Sequence, residues 1–434
     1  MLLTATLGVA SAQGVRSLGM GGVTLPGPWA AGLNPAYAAY PADAYGPGGG
    51  FDLPLGLINL ALRPSVSPLY YFTDFATFKS NFDVLAFLDQ VSRPYEFMIN
   101  PPSSPNEIVL HVSADGVQIT DGSGKPFQLG TYSGGKSGAA GLPLPQPFLL
   151  IPIPTGLSGL HISLGAFTSA GGFGLNPSPA LSRDLASGSL QPNTEYSFSL
   201  TGAASAGVNV NLDFATPLPA IPGFEGKVYL GGQLEGFYGL LYADAELTGT
   251  TTTDDHGAPG PVTYSNRLFY VYPGSGNGYG GRLDLGVALD YQSGTYGLGV
   301  RNLFGYESWS GVLHTSDGSG HSSDNSHTIT RTAFDPAVYA NGAYAQTLAG
   351  GDVVLYGADA SYAAGAFSAH AGVEYQKSIF RLRGGLGYEN GLKLGLGAGL
   401  KLPGVSFDTA LTSHQAPFSG QMVFGLAASL GFNF

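Results

Sequence analysis

The sequence predicts an all-β fold: a transmembrane antiparallel β-barrel of about fourteen strands, with an N-terminal plug and a helical, Pro-rich insertion. The C-terminus is the first observation. Phe434, Phe432, Leu430, Ala428, Leu426 and Phe424 take every second position, and Asn433, Gly431, Ser429, Ala427 and Gly425 lie between them. Successive strand side chains point to opposite faces. One face is therefore apolar and the other small or polar, which is how a strand crosses lipid in a closed barrel. Composition is the second: charged residues are 11% of the 434, and 68 are glycine. Third, beyond the N-terminus no apolar run approaches the roughly 18 residues of a membrane helix, whereas a barrel needs only alternate residues to be apolar.

The same composition excludes several functions. A net charge of -12 opposes binding to nucleic acid. The chain contains no Cys, so disulfide scaffolds and thiolate metal sites are ruled out. Gly278, Gly280 and Gly281 follow no strand–helix–strand pattern and do not make a nucleotide loop. No cofactor is expected.

Residues 1–12 are apolar and end in Ala10-Ser11-Ala12, the form of a signal-peptide cleavage site. No Lys or Arg precedes that site, so the expected signal peptide is truncated. Residues 13–50 are expected to form the plug. They hold Arg16-Ser17-Leu18-Gly19-Met20-Gly21-Gly22-Val23 and, further on, Asn34-Pro35-Ala36. The glycines permit tight turns and close backbone packing, and Pro35 drives Asn34 out of the helical region. The barrel is expected over 51–434, interrupted by a long insertion at 64–157. Within that insertion the period turns helical between Thr73 and Val91, with Phe75, Phe78, Phe82 and Leu85 on one stripe. Leu142 to Pro154 carries five prolines and is not expected to be an interior strand. The two segments either form a groove that captures apolar ligands or pack on each other as a lid.

Alternating segments predict strands at 51–63, 158–168, 195–212, 227–248, 262–272, 280–292, 295–304, 328–340, 352–363, 366–377, 380–388, 392–402, 404–413 and 421–434. Glu389-Asn390-Gly391 closes a hairpin in which Tyr388 pairs with Leu392. That register keeps both apolar sets on one side and sets Arg383 opposite Gly397 and Arg381 opposite Gly399. Counting strands back from the C-terminus puts 305–327 at the long-loop end. The same count puts Thr250 to His256 at the end where turns should be short.

Few residues suggest chemistry. His314, His321 and His327, with Asp317 and Asp324, lie at irregular spacing in a Ser- and Gly-rich stretch, and a metal needs three or four converging ligands. No metal site is expected. Asp121 and Asp317 each precede Gly-Ser-Gly but lack the further carboxylates of a calcium loop. Ser413-His414 has no evident acid partner, and without a catalytic set an enzyme is not expected. The main constellation is basic: Lys377, Arg381, Arg383, Lys393 and Lys401 hold five of the 17 Lys and Arg. Strand parity sends Arg381, Arg383, Lys393 and Lys401 into the lumen, as candidates for a ligand's anionic head. The competing expectation, favoured, is a structural ion network with Glu374, Asp284, Asp290 or Glu235.

The stretch from Arg16 to Val23, followed by Asn34-Pro35-Ala36, resembles the start of the FadL-like outer-membrane transporters, and more closely the conjugal-transfer TraF-like and PorV-like barrels. The segments 281–286, 298–303 and 373–411 are similar to strands of the same families. The sequence departs from them at Leu25-Pro26-Gly27-Pro28-Trp29, where relatives carry an acidic, small-residue stretch. A terminal strand ending on an aromatic residue is also similar to those read by the outer-membrane insertion machinery. The resemblance implies an outer-membrane location, contact with membrane lipids, and passive uptake of hydrophobic or amphipathic, fatty-acid-like small molecules. It implies that Arg16, Gly19, Gly21, Gly22, Asn34, Pro35 and Ala36 belong to the plug. The alternative it leaves is a non-transporting barrel that anchors a secretion, conjugation or envelope complex through a protein partner.

Overall fold

The computed structural model of the protein describes residues 14–27, 30–40, 50–63, 95–99, 108–113, 116–121, 146–153, 159–186, 189–317, 319, 321–333, 336–363, 366–389, 391–415 and 422–433. The predicted stripe of Phe75, Phe78, Phe82 and Leu85, and the signal-peptide residues 1–12, lie outside them.

The described chain is almost entirely antiparallel sheet. Its strands are β1 (Gly50–Pro54), β2 (Glu96–Met98), β3 (Ile108–Ser113), β4 (Gly116–Asp121), β5 (Gln146–Ile153), β6 (Leu160–Pro177), β7 (Glu195–Pro217), β8 (Lys227–Thr252), β9 (Thr263–Val271) and β10 (Asn277–Tyr291). They continue with β11 (Gly294–Ser316), β12 (Ser322–Ala333), β13 (Ala337–Thr347), β14 (Val353–Ala363), β15 (Ala366–Lys377), β16 (Phe380–Glu389), β17 (Leu392–Leu402), β18 (Val405–Gln415) and β19 (Met422–Asn433). Pairing runs from β5 through β6, β7 and β8 to β10 and β11, then from β13 in sequence order to β19. On its far side β19 meets β1 at its C-terminal end and β2 further up. If β1 and β2 count as one interrupted stave, the barrel has about fourteen, as the alternation predicts.

Side-chain alternation makes the wall. On β19, Met422, Phe424 and Leu426 are exposed, while Val423, Gly425 and Ala427 are buried. On β17, Leu392, Leu394 and Leu396 face outward, while Lys393 and Gly395 are buried. Exposed rings gather at both ends of the outer band, with Tyr291, Tyr296, Tyr344 and Phe380 near the short turns and Tyr238, Tyr279, Phe304, Tyr388 and Phe424 near the long loops. An apolar outside, aromatic girdles and a charged inside invert the pattern of a soluble barrel and match what lipid demands.

Three strand predictions need correction. Residues 51–63 are not one strand. The chain leaves the wall at Pro54, enters a 3-10 turn at Leu55–Leu57 and a short helix α1 at Ile58–Leu62, and returns at Glu96 beside the same strand. Residues 262–272 do not cross the barrel: among the described residues β9 pairs with the upper parts of β8 and β11, above the band. Residues 328–340 divide between β12, which extends the β11 hairpin upward, and β13, which crosses. Removing β9 from the spanning count moves Thr250 to His256 to the long-loop end, where Thr252 pairs with Glu195. The Pro-rich run does hold a strand, though, as expected, not one paired on both sides among the described residues. β5 includes Pro147 and Pro152, and β6 is its registered partner among the described residues. A register shift beside Pro147 absorbs a missing donor, so the prolines are tolerated where a strand paired on both sides would reject them.

Candidate functional site

Residues 14–27 and 30–40 pack against the inner face of the wall. A short helix α2 at Val15–Gly19 ends at Met20, and Gly21 and Gly22 follow at φ of 77° and 102°. The Gly22 amide returns to Ser17 O at 2.8 Å, closing the helix as glycine in the left-handed region allows. Val15 and Leu18 pack on Ala410 and Ala427, and Met20, Val23 and Leu25 on Ala343 and Leu355. The wall is floored with glycine where the plug backbone comes closest. A Cβ on Gly372, Gly385 or Gly395 would run into the backbone of Leu18, Met20 or Gly21. The lumen-facing glycines of β16 and β17 thus make room chiefly for the plug, while Gly399, registered against Arg381 as predicted, has the Arg383 guanidinium over it instead.

Further along, Asn34 both caps and anchors. Its Oδ1 accepts from the Ala36 amide at 3.0 Å, and its Nδ2 donates to Val287 O at 3.0 Å. Pro35 opens the 3-10 turn Pro35–Ala39. The turn delivers the Tyr37 hydroxyl to Asn341 Oδ1 at 2.6 Å and the Tyr40 hydroxyl to Thr295 Oγ1 at 2.6 Å. Asn341 Nδ2 donates in turn to Thr24 O at 3.0 Å. Arg16, Gly19, Gly21, Gly22, Asn34, Pro35 and Ala36 thus all lie against residues of the wall strands.

Two charge relays latch that segment. In the lower one, nearer the short turns, Arg16 donates to both oxygens of Glu374, at 3.0 and 2.7 Å. Arg383 joins Glu374 Oε2 and Asp408 Oδ1, each at 2.5 Å, and Gln376 donates to Glu374 Oε1 at 2.6 Å. In the upper one, Asp359 accepts the Thr24 amide at 2.5 Å and holds His370 Nδ1 at 2.6 Å. His370 Nε2 meets Glu389 Oε1 at 2.9 Å, and Lys393 Nζ reaches the same oxygen at 3.0 Å.

The four predicted head-group residues separate accordingly. Arg383 and Lys393 are buried and committed to carboxylates, as the ion-network expectation has it, with Glu374 as the predicted partner. Arg381 and Lys401 form no ion pair among the described residues and lie toward the short-turn mouth, one strand apart. Asp284 and Glu235 serve a different wall, paired with Arg301 at 3.8 Å and Arg282 at 2.6 Å.

Above that second wall the inner lining turns aromatic, which sequence reading missed. Phe167, Phe237, Trp309, Tyr242 and Phe269 form a column with successive ring centroids 5.4, 5.8, 4.6 and 5.6 Å apart. Trp309 lies over Gly239 and Gly278, whose missing side chains leave space for the indole. These rings come from four strands, and Tyr242 faces inward only because the register shifts between Ala206 and Gly207, which strict alternation does not foresee.

The histidine-rich stretch is an ordered hairpin of β11 and β12 rather than a loop. Its groups do not converge: His314 pairs with Asp324 at 2.6 Å, His321 lies 3.5 Å from Asp317, and His327 meets the Phe269 ring. His414, expected to lack an acid, has Glu96 Oε2 at 3.4 Å. Thr412 Oγ1 lies on the same ring nitrogen at 3.2 Å.

No family profile matches the chain, and no curated protein matches it in sequence. Among solved structures it is similar to CymD, described as a monoaromatic hydrocarbon channel, at 11% identity and a TM-score of 0.35, over 99% of this chain and 98% of that one. A TodX deletion mutant, also described as a monoaromatic hydrocarbon channel, matches at 10% identity and 0.29, over 64% and 91%. A triple mutant of the Rhodopseudomonas blastica porin matches at 11% and 0.21, over 63% and 100%. At these values the likenesses carry no argument about function.

Proposed function

We propose that the protein is an outer-membrane barrel through which hydrophobic or amphipathic small molecules move down their gradient, with residues 14–40 as the displaceable plug. The observation that carries this reading is the aromatic column on the inner surface above the plug. Barrel lumens are ordinarily polar. An apolar inner lining costs hydration and serves a solute that is itself apolar. The plug is held mainly by ion pairs and hydrogen bonds, which exchange with water more readily than an apolar core does. In this reading Arg381 and Lys401, which have no carboxylate partner among the described residues, receive an anionic end at the short-turn mouth, and lipid surrounds the apolar band.

The test uses intact cells, whose outer membrane slows apolar probes. Expression of the protein is expected to accelerate uptake of N-phenylnaphthylamine. Replacing Phe237, Trp309 and Phe269 together with Ser should abolish the acceleration while the barrel still inserts. Uptake unchanged by the intact protein would overturn the transport reading and favour the anchoring one, with an envelope protein as partner.

A further inference from the structure

The lumen between the plug and the aromatic column holds a polar tier that neither latch uses. On β8 and β10, Glu235 and Arg282 are cross-strand partners on the lumenal face, and Asn211 of β7 is registered against Glu235. One step up, Asn209 is registered against Phe237, the second ring of the column. One step down, Asp284 accepts the Asn302 amide at 2.6 Å through Oδ1, with Arg301 beside it. Tyr339 closes the tier next to Asn34 of the plug, both of them near Gly286.

Seven polar atoms of this tier have no hydrogen-bond partner among the described residues: Arg282 Nε and Nη1, Arg301 Nε, Tyr339 Oη, Glu235 Oε2, Asp284 Oδ2 and Asn209 Oδ1. All of these residues except Arg301 are at least nine-tenths buried. Glu235 Oε2 lies 2.6 Å from Arg282 Nε, yet the two are out of hydrogen-bond alignment. Arg301 Nε and Asp284 Oδ2 stand 3.8 Å apart, beyond direct bonding and close enough for one atom to bridge them. A buried polar group left unsatisfied bears its full desolvation penalty. So many in one place mark a site built to receive something polar.

We propose that this tier is a binding site for the hydroxyl head of a neutral, ring-bearing molecule whose apolar body lies against Phe237 and Trp309; the proposal rests on the transport reading above. Charge balance selects the head. Two guanidinium groups face two carboxylates, so an incoming carboxylate would meet Glu235 and Asp284 as well as the arginines and would lose its hydration without a net counter-charge. A hydroxyl both donates and accepts, which suits a site offering both kinds of open valence. The body follows from position, because the aromatic tier begins one inward residue above Glu235.

Trp309 is one of two tryptophans in the chain, so a Trp29→Phe background isolates its fluorescence. Three probes share one body and differ in head: p-cresol, toluene and p-toluate. Purified protein in detergent is expected to show saturable quenching or a shift with p-cresol, at least about tenfold tighter than with toluene or p-toluate. Asp284→Asn, which removes one carboxylate from beside Arg301, should narrow the p-cresol preference over p-toluate. Equal response to p-cresol and toluene, or no saturable response to p-cresol, would overturn the proposal, and that comparison needs no tier variant to fold. Selective p-cresol binding without accelerated probe uptake in cells would leave the site standing and remove the transport reading. Accelerated uptake without head selectivity would do the reverse.

Discussion

Arg16 and Glu374, 358 positions apart in the chain, form a two-armed ion pair inside the barrel, with Nε on Oε2 at 3.0 Å and Nη2 on Oε1 at 2.7 Å. Glu374 is fully buried and also takes Arg383 from the neighbouring strand. The plug is therefore tied into a charge network that the wall already needs, and its release leaves that network partly satisfied. A tether of that kind can open without unfolding what it is tied to.

Substituting Arg16 tests this directly. Arg16→Met should leave the barrel inserted, because Arg383 still neutralises Glu374, while weakening plug attachment by about 1–3 kcal/mol. Conductance across a planar bilayer is expected to rise and become noisier. Arg16→Lys should fall between, since an ammonium cannot reproduce the planar fork on both oxygens. If Arg16→Met conducts like the parent, the lower latch does not hold the plug.

Gly21 carries a second constraint. Its φ of 77° disfavours any side chain, and a Cβ there would strike the backbone of Gly385 and Leu386. Gly21→Val should unseat the turn after α2 without touching either relay. The chain has no cysteine, so Ser17→Cys supplies a single label site on the buried face of that helix. Maleimide labelling is expected to be slow in the parent background and fast with Gly21→Val. Equal labelling would show that the plug tolerates the side chain.

The spanning strands were legible because lipid imposes a strict rule. Leu392, Leu394 and Leu396 must face out, and with them the register of Tyr388 on Leu392 follows, as observed. Arg16, Asn34 and the plug glycines were legible only through resemblance, because nothing local announces that Arg16 meets Glu374. The extensions above the bilayer escaped because the rule lapses there. β9 and β12 alternate like spanning strands but rest on the upper parts of β8 and β11, so period alone miscounts them. The aromatic column and the polar tier were invisible for a related reason. Phe167, Phe237, Asn209 and Arg282 are unremarkable singly, and only the register of four strands gathers them.

At the tip of the β11–β12 hairpin, Asp317 accepts from the Ser319 hydroxyl at 2.7 Å and the His321 amide at 3.0 Å. Those bonds, the Ser319 hydroxyl first, hold its carboxyl below the ordinary carboxylate value. A depressed carboxylate contributes order that is present above its ordinary pKa and lost as pH falls through the folded value. Exchange of the Ser319 and His321 amides, normalised to intrinsic rates, should therefore be constant near neutrality and accelerate only in strong acid. Asp317→Asn should remove that dependence. Acceleration already near neutral pH would assign the order to His321 instead.

The depth of the bilayer is readable on a single strand. Leu396 lies midway along β17 and is 64% exposed, while Leu402 ends the same strand beside the turn and is 49% exposed. In water the two positions would accept an arginine about equally. In lipid they should not: Leu396→Arg buries a cation at the band's centre, at about 2–4 kcal/mol, and Leu402→Arg reaches the interface at about 0–1 kcal/mol. Reversible unfolding in lipid vesicles measures both, and the expected order is a large loss at Leu396 with little at Leu402. Equal small losses would mean that the outward leucines face water or a protein partner, and the apolar band would then have to be explained without a membrane.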